Sequence, residues 1–136
     1  MDADSDRLSY EQLQLLNRVA KHLAQAVDLR DTLESVLEWL GEFCSMRRGV
    51  ISIMNDSGDE VRAAVTVGDI RASQSDKMRY KAGEGITGEV FATGKPAFVP
   101  QVDAVDKFLD RSGLRRDMDG SQIAFFCVPI SYRNRT

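Results

Sequence analysis

The sequence predicts an α+β fold: an antiparallel sheet with N-terminal helices on one face and a lid of loop and short helix on the other. Three observations carry this. Two amphipathic helical segments open the chain, before any strand signal. A β-branched run, VISIMN (Val50 to Asn55), is followed by turn residues and a second strand-like run, a hairpin pattern. A glycine-punctuated segment, YKAGEGITGEVFATGKPAFVP (Tyr80 to Pro100), then sets a short helix between two short strands.

Residues 1–8 are acidic and polar and are expected to be a flexible N-terminus. Ser9 and Gln12 form a capping box, with Leu8 and Leu13 at hydrophobic-staple positions. In the helix that follows, Leu13, Leu16, Ala20, Leu23 and Val27 alternate spacings of three and four. That is a coiled-coil-like seam, expected to serve as a dimer interface. Leu15, Val19 and Ala26 widen the apolar face, so one stripe can pack on the domain and the other on a second copy. Asp28 caps a second helix, and Asp31 suits the positive end of its dipole. Leu33, Val36, Leu37, Leu40, Phe43 and Cys44 are its expected buried face, with Trp39 off the stripe as an edge or interface anchor. This helix is expected to run to residues 46–48, before Gly49.

Asp56-Ser57-Gly58-Asp59 is the expected hairpin turn, and Glu60 to Val67 the returning strand. Residues 68–77 read as a loop or short helix, and Met78 to Lys81 as a short strand. Ile86, Val90 and Phe91 are the apolar residues of the glycine-bounded helix, and Gly94 stands where a helix-ending glycine belongs. Pro96 to Pro100 reads as a short or edge strand. Residues 101–120 read as a loop with a short helix around Lys107 to Arg111. Ile123 to Ser131, IAFFCVPIS, is a near-continuous apolar run, expected as a central strand covered on both faces.

At 136 residues the chain is one domain, large enough to bury a core. A net charge of −3 argues against nucleic-acid binding by this segment, since phosphate contacts need a basic surface. There is no 18-residue apolar run and no signal-peptide pattern, so neither a membrane partner nor export is expected; the setting reads as cytoplasmic. Cys44 and Cys127 lie in apolar segments and read as buried free thiols. With one histidine and two cysteines, no protein-ligated metal is expected, and nothing calls for a cofactor.

The run from Gly83 to Gly88 spells GxGxxG, but its context is wrong for a nucleotide loop. The helix after Gly85 has room for about two turns only, and no parallel strand follows. Lys95 is followed by Pro96, so neither a kinase lysine strand nor a P-loop fits. His22 sits in the first helix, away from the glycines, which excludes Ser-His-Asp chemistry there; no catalytic residue is assigned.

What fits is the pattern Gly83-Glu84-Gly85-Ile86, Gly88, Gly94 and Pro96, then Lys107, Phe108, Asp110 and Arg111, then Val128-Pro129-Ile130. Over roughly residues 10–133 it resembles a GAF domain, in particular the N-terminal sensory domains of NifA-type, sigma-54-dependent transcriptional activators. The resemblance implies one GAF domain over residues 9–136, lacking the last strand and closing helix that such domains usually carry beyond VPI. The open sheet edge this would leave suggests pairing with another chain.

GAF pockets lie between the sheet and the lid. The resemblance places the floor at Ile51 and Ile53 or Ser52 and Met54, Thr66, and Phe126 or Cys127. It places the walls at Arg79, Tyr80, Gly85, Ile86, Thr87 and Phe108. The physics favours a small anionic metabolite: N–H groups at a helix start attract a carboxylate, and Arg79 could add a bidentate contact. Thr87 could instead cap the helix, Arg79 could face water, and apolar side chains could fill the pocket. The family implies 2-oxoglutarate or formate as ligands, helical homodimers, and control of an attached AAA+ ATPase. Alternatives are a ligand-free interaction module for a regulatory partner protein, or a cyclic-nucleotide sensor. Asp106 to Arg111 lacks the leading Asn and final Glu of the cyclic-nucleotide element. Two cysteines in a helix and a strand do not match the methionine sulfoxide reductases of this fold, and no enzyme activity is expected.

Overall fold

The computed structural model describes residues 8–102 and 123–131. It forms two compact bodies, Met1–Ile51 with Val65–Gly68 and Ser52–Ala64 with Asp69–Thr136. Two strands, β1 (Arg48–Met54) and β2 (Glu60–Gly68), contribute to both.

The first body opens with α1 (Tyr10–Ala24), and the capping box forms as expected. The Gln12 N–H donates to Ser9 Oγ at 3.2 Å, and the Ser9 N–H donates to Gln12 Oε1 at 2.8 Å. Leu15, Val19 and His22 are the half-buried residues of α1, one stripe at spacings of four and three. The seam residues Leu13, Leu16, Ala20 and Leu23 are exposed. Val27 is not on the helix. The Gln25 N–H caps the helix end on the Lys21 and His22 carbonyls at 3.2 and 3.3 Å, and Asp28 is already extended. The seam therefore ends at Leu23.

Helix α2 (Leu29–Phe43) starts on Asp28, whose Oδ1 accepts the Asp31 N–H at 3.0 Å. The Thr32 hydroxyl, buried, donates to the Asp28 carbonyl at 2.6 Å. Val36 and Leu37 are buried, and Leu33 and Leu40 half-buried, as the stripe predicts. Leu37 comes so close to Gly49 on β1 that a Cβ there would lie 3.0 Å from its Cδ1. The helix stops earlier than expected. Ser45 adopts a left-handed φ of 53°, the Met46 N–H donates to the Gly41 carbonyl at 2.8 Å, and the Ser45 N–H to Glu42 at 3.3 Å. This is a Schellman ending with serine in the glycine place. It leaves Phe43 and Cys44 exposed, which corrects the expectation that both are buried. Trp39 is the fastener between the helices: its ring lies 4.9 Å from that of His22, and the Arg18 guanidinium stands 3.8 Å over it.

The second body contains the hairpin tip. Asn55 organises it: its Oδ1 accepts the N–H groups of Gly58, Asp59 and Glu60 at 3.0–3.2 Å, and its Nδ2 donates to Asp59 at 2.7 Å. A short helix α3 (Ala72–Ser75) precedes β3 (Arg79–Lys81). The sheet order is β1-β2-β3, with β3 antiparallel to β2. Helix α4 (Gly85–Thr93) follows, then β4 (Ala97–Val99) and β5 (Phe125–Cys127), an antiparallel pair. Ile86, Val90, Val99 and Val102 form the core, flanked by Ala97, Ile123, Phe125 and Cys127.

The run Ile123 to Ser131 is not the doubly covered central strand expected. Only Phe125–Cys127 is strand, and it pairs with β4 alone among the described residues. Alternation decides its burial: Phe125 and Cys127 join the α4 cluster, whereas Phe126 remains 47% exposed opposite Phe98, which is 67% exposed. Residues 1–7 of the expected flexible N-terminus at 1–8, the expected helix around Lys107 to Arg111, and residues 132–136 lie outside the described residues.

Candidate functional site

The candidate site is the glycine turn and the α4 start it builds. Lys81 ends β3, and the chain must reverse within three residues to enter α4. It does so through two left-handed glycines, Gly83 at φ 86° and Gly85 at φ 59°. The Glu84 N–H donates to the Lys81 carbonyl at 3.0 Å, and the Glu84 carboxylate accepts the Lys81 N–H at 3.4 Å. The Gly83 N–H donates to the Gly88 carbonyl at 2.8 Å, and the Gly88 N–H to the Glu84 carbonyl at 2.9 Å. Gly88 is glycine for a different reason: a Cβ there would fall on the Lys81 carbonyl oxygen. The α4 backbone lies directly on the end of β3. Gly94, at φ 67°, ends α4 by donating its N–H to the Val90 carbonyl at 2.8 Å.

This geometry decides what caps the helix. Glu84 holds the N-cap position, but its side chain turns back to β3 and makes no cap bond to α4. Thr87 is the third helical residue and half-buried, so it is not the N-cap. Gly85, Ile86 and Thr87 form the first turn of α4, so their N–H groups have no partner within the helix. A partial positive charge stands there.

The other expected site residues are distributed as follows. Tyr80 is half-buried and sits opposite buried Val61. Arg79 is exposed and sits opposite Arg62, so it faces the other side of β3 from Tyr80. Ser52 is half-buried on β1 in the second body; Thr66 is half-buried on β2 in the first. Ile86 is buried in the core cluster, and Phe126 lies on the β5 face away from it. Phe108 lies outside the described residues. Cys127 packs against the cluster, and burial pushes its thiol above the usual range.

Two residues of this region escaped sequence reasoning. Glu84 secures the end of β3; its signal was a carboxylate three residues after a strand end. Val102, in a segment read as polar loop, is fully buried, and its N–H donates to the Ile123 carbonyl at 3.0 Å. No local pattern marks that long-range pair. Among the described residues no group of three His, Cys, Asp or Glu side chains could hold a metal, and no helix is long and apolar enough to cross a membrane.

A short helix seated on a strand end through a glycine-rich turn, ahead of an antiparallel strand pair, defines a small α+β fold. Its family is shown by comparison: the GAF domain model matches residues 26–136, and the chain belongs to the GAF domain family. It is 34% identical over 125 residues to a Nif-specific regulatory protein of Herbaspirillum seropedicae. That match covers 92% of this chain and 23% of the relative, so the chain spans about a quarter of that protein's length. The GAF domain of A. aeolicus nlh2, solved in an inactive state, superposes with a TM-score of 0.81 at 26% identity, over 95% of this chain and 76% of that one. A free methionine-R-sulfoxide reductase of Neisseria meningitidis, solved with its substrate, shares the fold at a TM-score of 0.70 and 21% identity, over 95% and 72% of the two chains.

Proposed function

We propose that this chain is the regulatory, sensory domain of a NifA-type, sigma-54-dependent transcriptional activator. In this reading it works in the cytoplasm and is not an enzyme. It controls an attached AAA+ ATPase by binding a small anionic metabolite, with 2-oxoglutarate as the first candidate. The observation that carries the reading is the head of α4, where the glycine turn presents the N–H groups of Gly85, Ile86 and Thr87. A carboxylate there would be held by backbone donors and the helix dipole. Tyr80, Ser52, Phe108 and Phe126 remain the proposed surroundings, and the expected contacts of Arg79, which faces the other side of β3 from Tyr80, and of Thr66, which lies in the first body, are not carried forward. Signal would pass as a population shift between lid arrangements that an output domain can read.

A second reading, an interaction module without a ligand, is supported by the exposed apolar stripe of α1. That stripe also suits a homodimer or a regulatory partner protein. The discriminating measurement is thermal unfolding against 2-oxoglutarate, formate, glutamine and cyclic nucleotides. A ligand at about 100 times its Kd stabilises by about 2.7 kcal/mol, a rise of roughly 5 °C or more. A rise with one compound, abolished by Thr87→Pro, which removes one of the three N–H donors, supports the sensor. Unchanged unfolding with every compound would remove the sensor reading and leave the interaction module.

A further inference from the structure

Each body carries one surface on which a single sign of charge predominates. On the second body, the β2–β3 register sets Arg62 directly opposite Arg79 and Glu60 opposite Lys81. Residues two apart on a strand share a face, so these four form one patch with a surplus of two positive charges. Arg62, Arg79 and Lys81 are all exposed. Glu60 opposite Lys81 supports the strand pair, whereas the opposed like charges of Arg62 and Arg79 weaken it. On the first body, α2 carries Asp31, Glu34, Glu38 and Glu42, all exposed and spaced three, four and four apart on one face. Glu34 and Glu38, and again Glu38 and Glu42, are like charges one turn apart, which weakens a helix. Glu42 lies in the last turn, where the helix dipole disfavours an anion and no basic residue offsets it. Arg30, four residues before Glu34, is the cation of α2 within reach.

We propose that the patch and the stripe are two halves of one contact between copies of this chain: the cationic β2–β3 face of one copy seats on the acidic α2 stripe of another. Each surface is self-repelling alone, and each relieves the other. Their sizes suit. The stripe runs about 16 Å along α2, and the three cations lie within about 8 Å of one another. A contact made of exposed charges is screened by salt, unlike association through the apolar stripe of α1.

Sedimentation velocity of the whole chain at about 20 mM and about 500 mM salt tests this. The expected result is an association step weakened at least tenfold by salt. Arg62→Gln with Arg79→Gln, and separately Glu34→Gln with Glu38→Gln, should each remove that step while leaving unfolding cooperative by circular dichroism. Arg62→Glu with Arg79→Glu should fail to self-associate, as should Glu34→Lys with Glu38→Lys. Mixing these two reversed chains should restore association between them, because each then supplies the charge the other lacks. Wild-type association indifferent to salt, a glutamine variant that associates as wild type does, or reversed chains that ignore each other would each overturn the proposal.

Discussion

Single residues in the glycine turn carry different burdens, and substitution separates them. Gly83 has open space where a Cβ would go, so alanine there meets only the strain of a φ of 86°. That strain is worth about 1–2 kcal/mol. Gly88 has no positive φ to defend, but its Cβ would strike the Lys81 carbonyl oxygen, and backbone cannot step aside as a flexible side chain can. Gly88→Ala should therefore cost about 3 kcal/mol, more than Gly83→Ala, by denaturant unfolding. Equal losses, or the reverse order, would mean that α4 is not seated on β3 through this glycine. The sequence marked both positions, because glycines at fixed spacing announce a tight turn. It could not say which one answers to torsion and which to contact, since the contact depends on a strand end seven residues back.

At the scale of elements, the starts of α1 and α2 and the end of α4 at Gly94 were legible, and the ends of α1 and α2 were not. Ser9 with Gln12, and Asp28 with Asp31, cap through bonds spanning three residues, so the pattern holds whatever the tertiary setting. The end of α2 turns on Ser45 taking a left-handed conformation, for which serine gives little signal, and the apolar run overshot into Phe43 and Cys44. In the same way, IAFFCVPIS looked doubly buried because composition reports apolarity and not which face is covered. The link between the first two helices also had no periodic signal. Trp39 stood outside the α2 stripe because it serves α1, between His22 and Arg18. Trp39→Ala should cost about 2 kcal/mol and Arg18→Ala about 0.5–1 kcal/mol. If the stack is the fastener, the double variant should lose less than the sum, by about 0.5 kcal/mol or more. Strict additivity in chemical unfolding would show that Arg18 and Trp39 act apart.

For the whole molecule, the question is what the first helix is for beyond its own body. Leu15, Val19 and His22 face inward, which leaves Leu13, Leu16, Ala20 and Leu23 as an apolar row in water. From Leu13 to Leu23 the row covers about one and a half heptads, and its spacing was readable in the sequence apart from Val27. If it joins two copies, each buried leucine contributes about 1.5–3 kcal/mol of transfer free energy to the dimer. Leu16→Glu with Leu23→Glu should then convert a dimer to a monomer by light scattering. Because both side chains are exposed within one chain, the same change should barely alter unfolding of the monomer at high dilution. At higher concentration the wild-type chain should unfold at a temperature that rises with concentration, and the variant should not. Loss of folding in the dilute variant would place these leucines in the core of their own chain instead. A variant that still dimerises would transfer the regulatory contact to another surface, and the salt dependence of that dimer would identify the charged faces or exclude them.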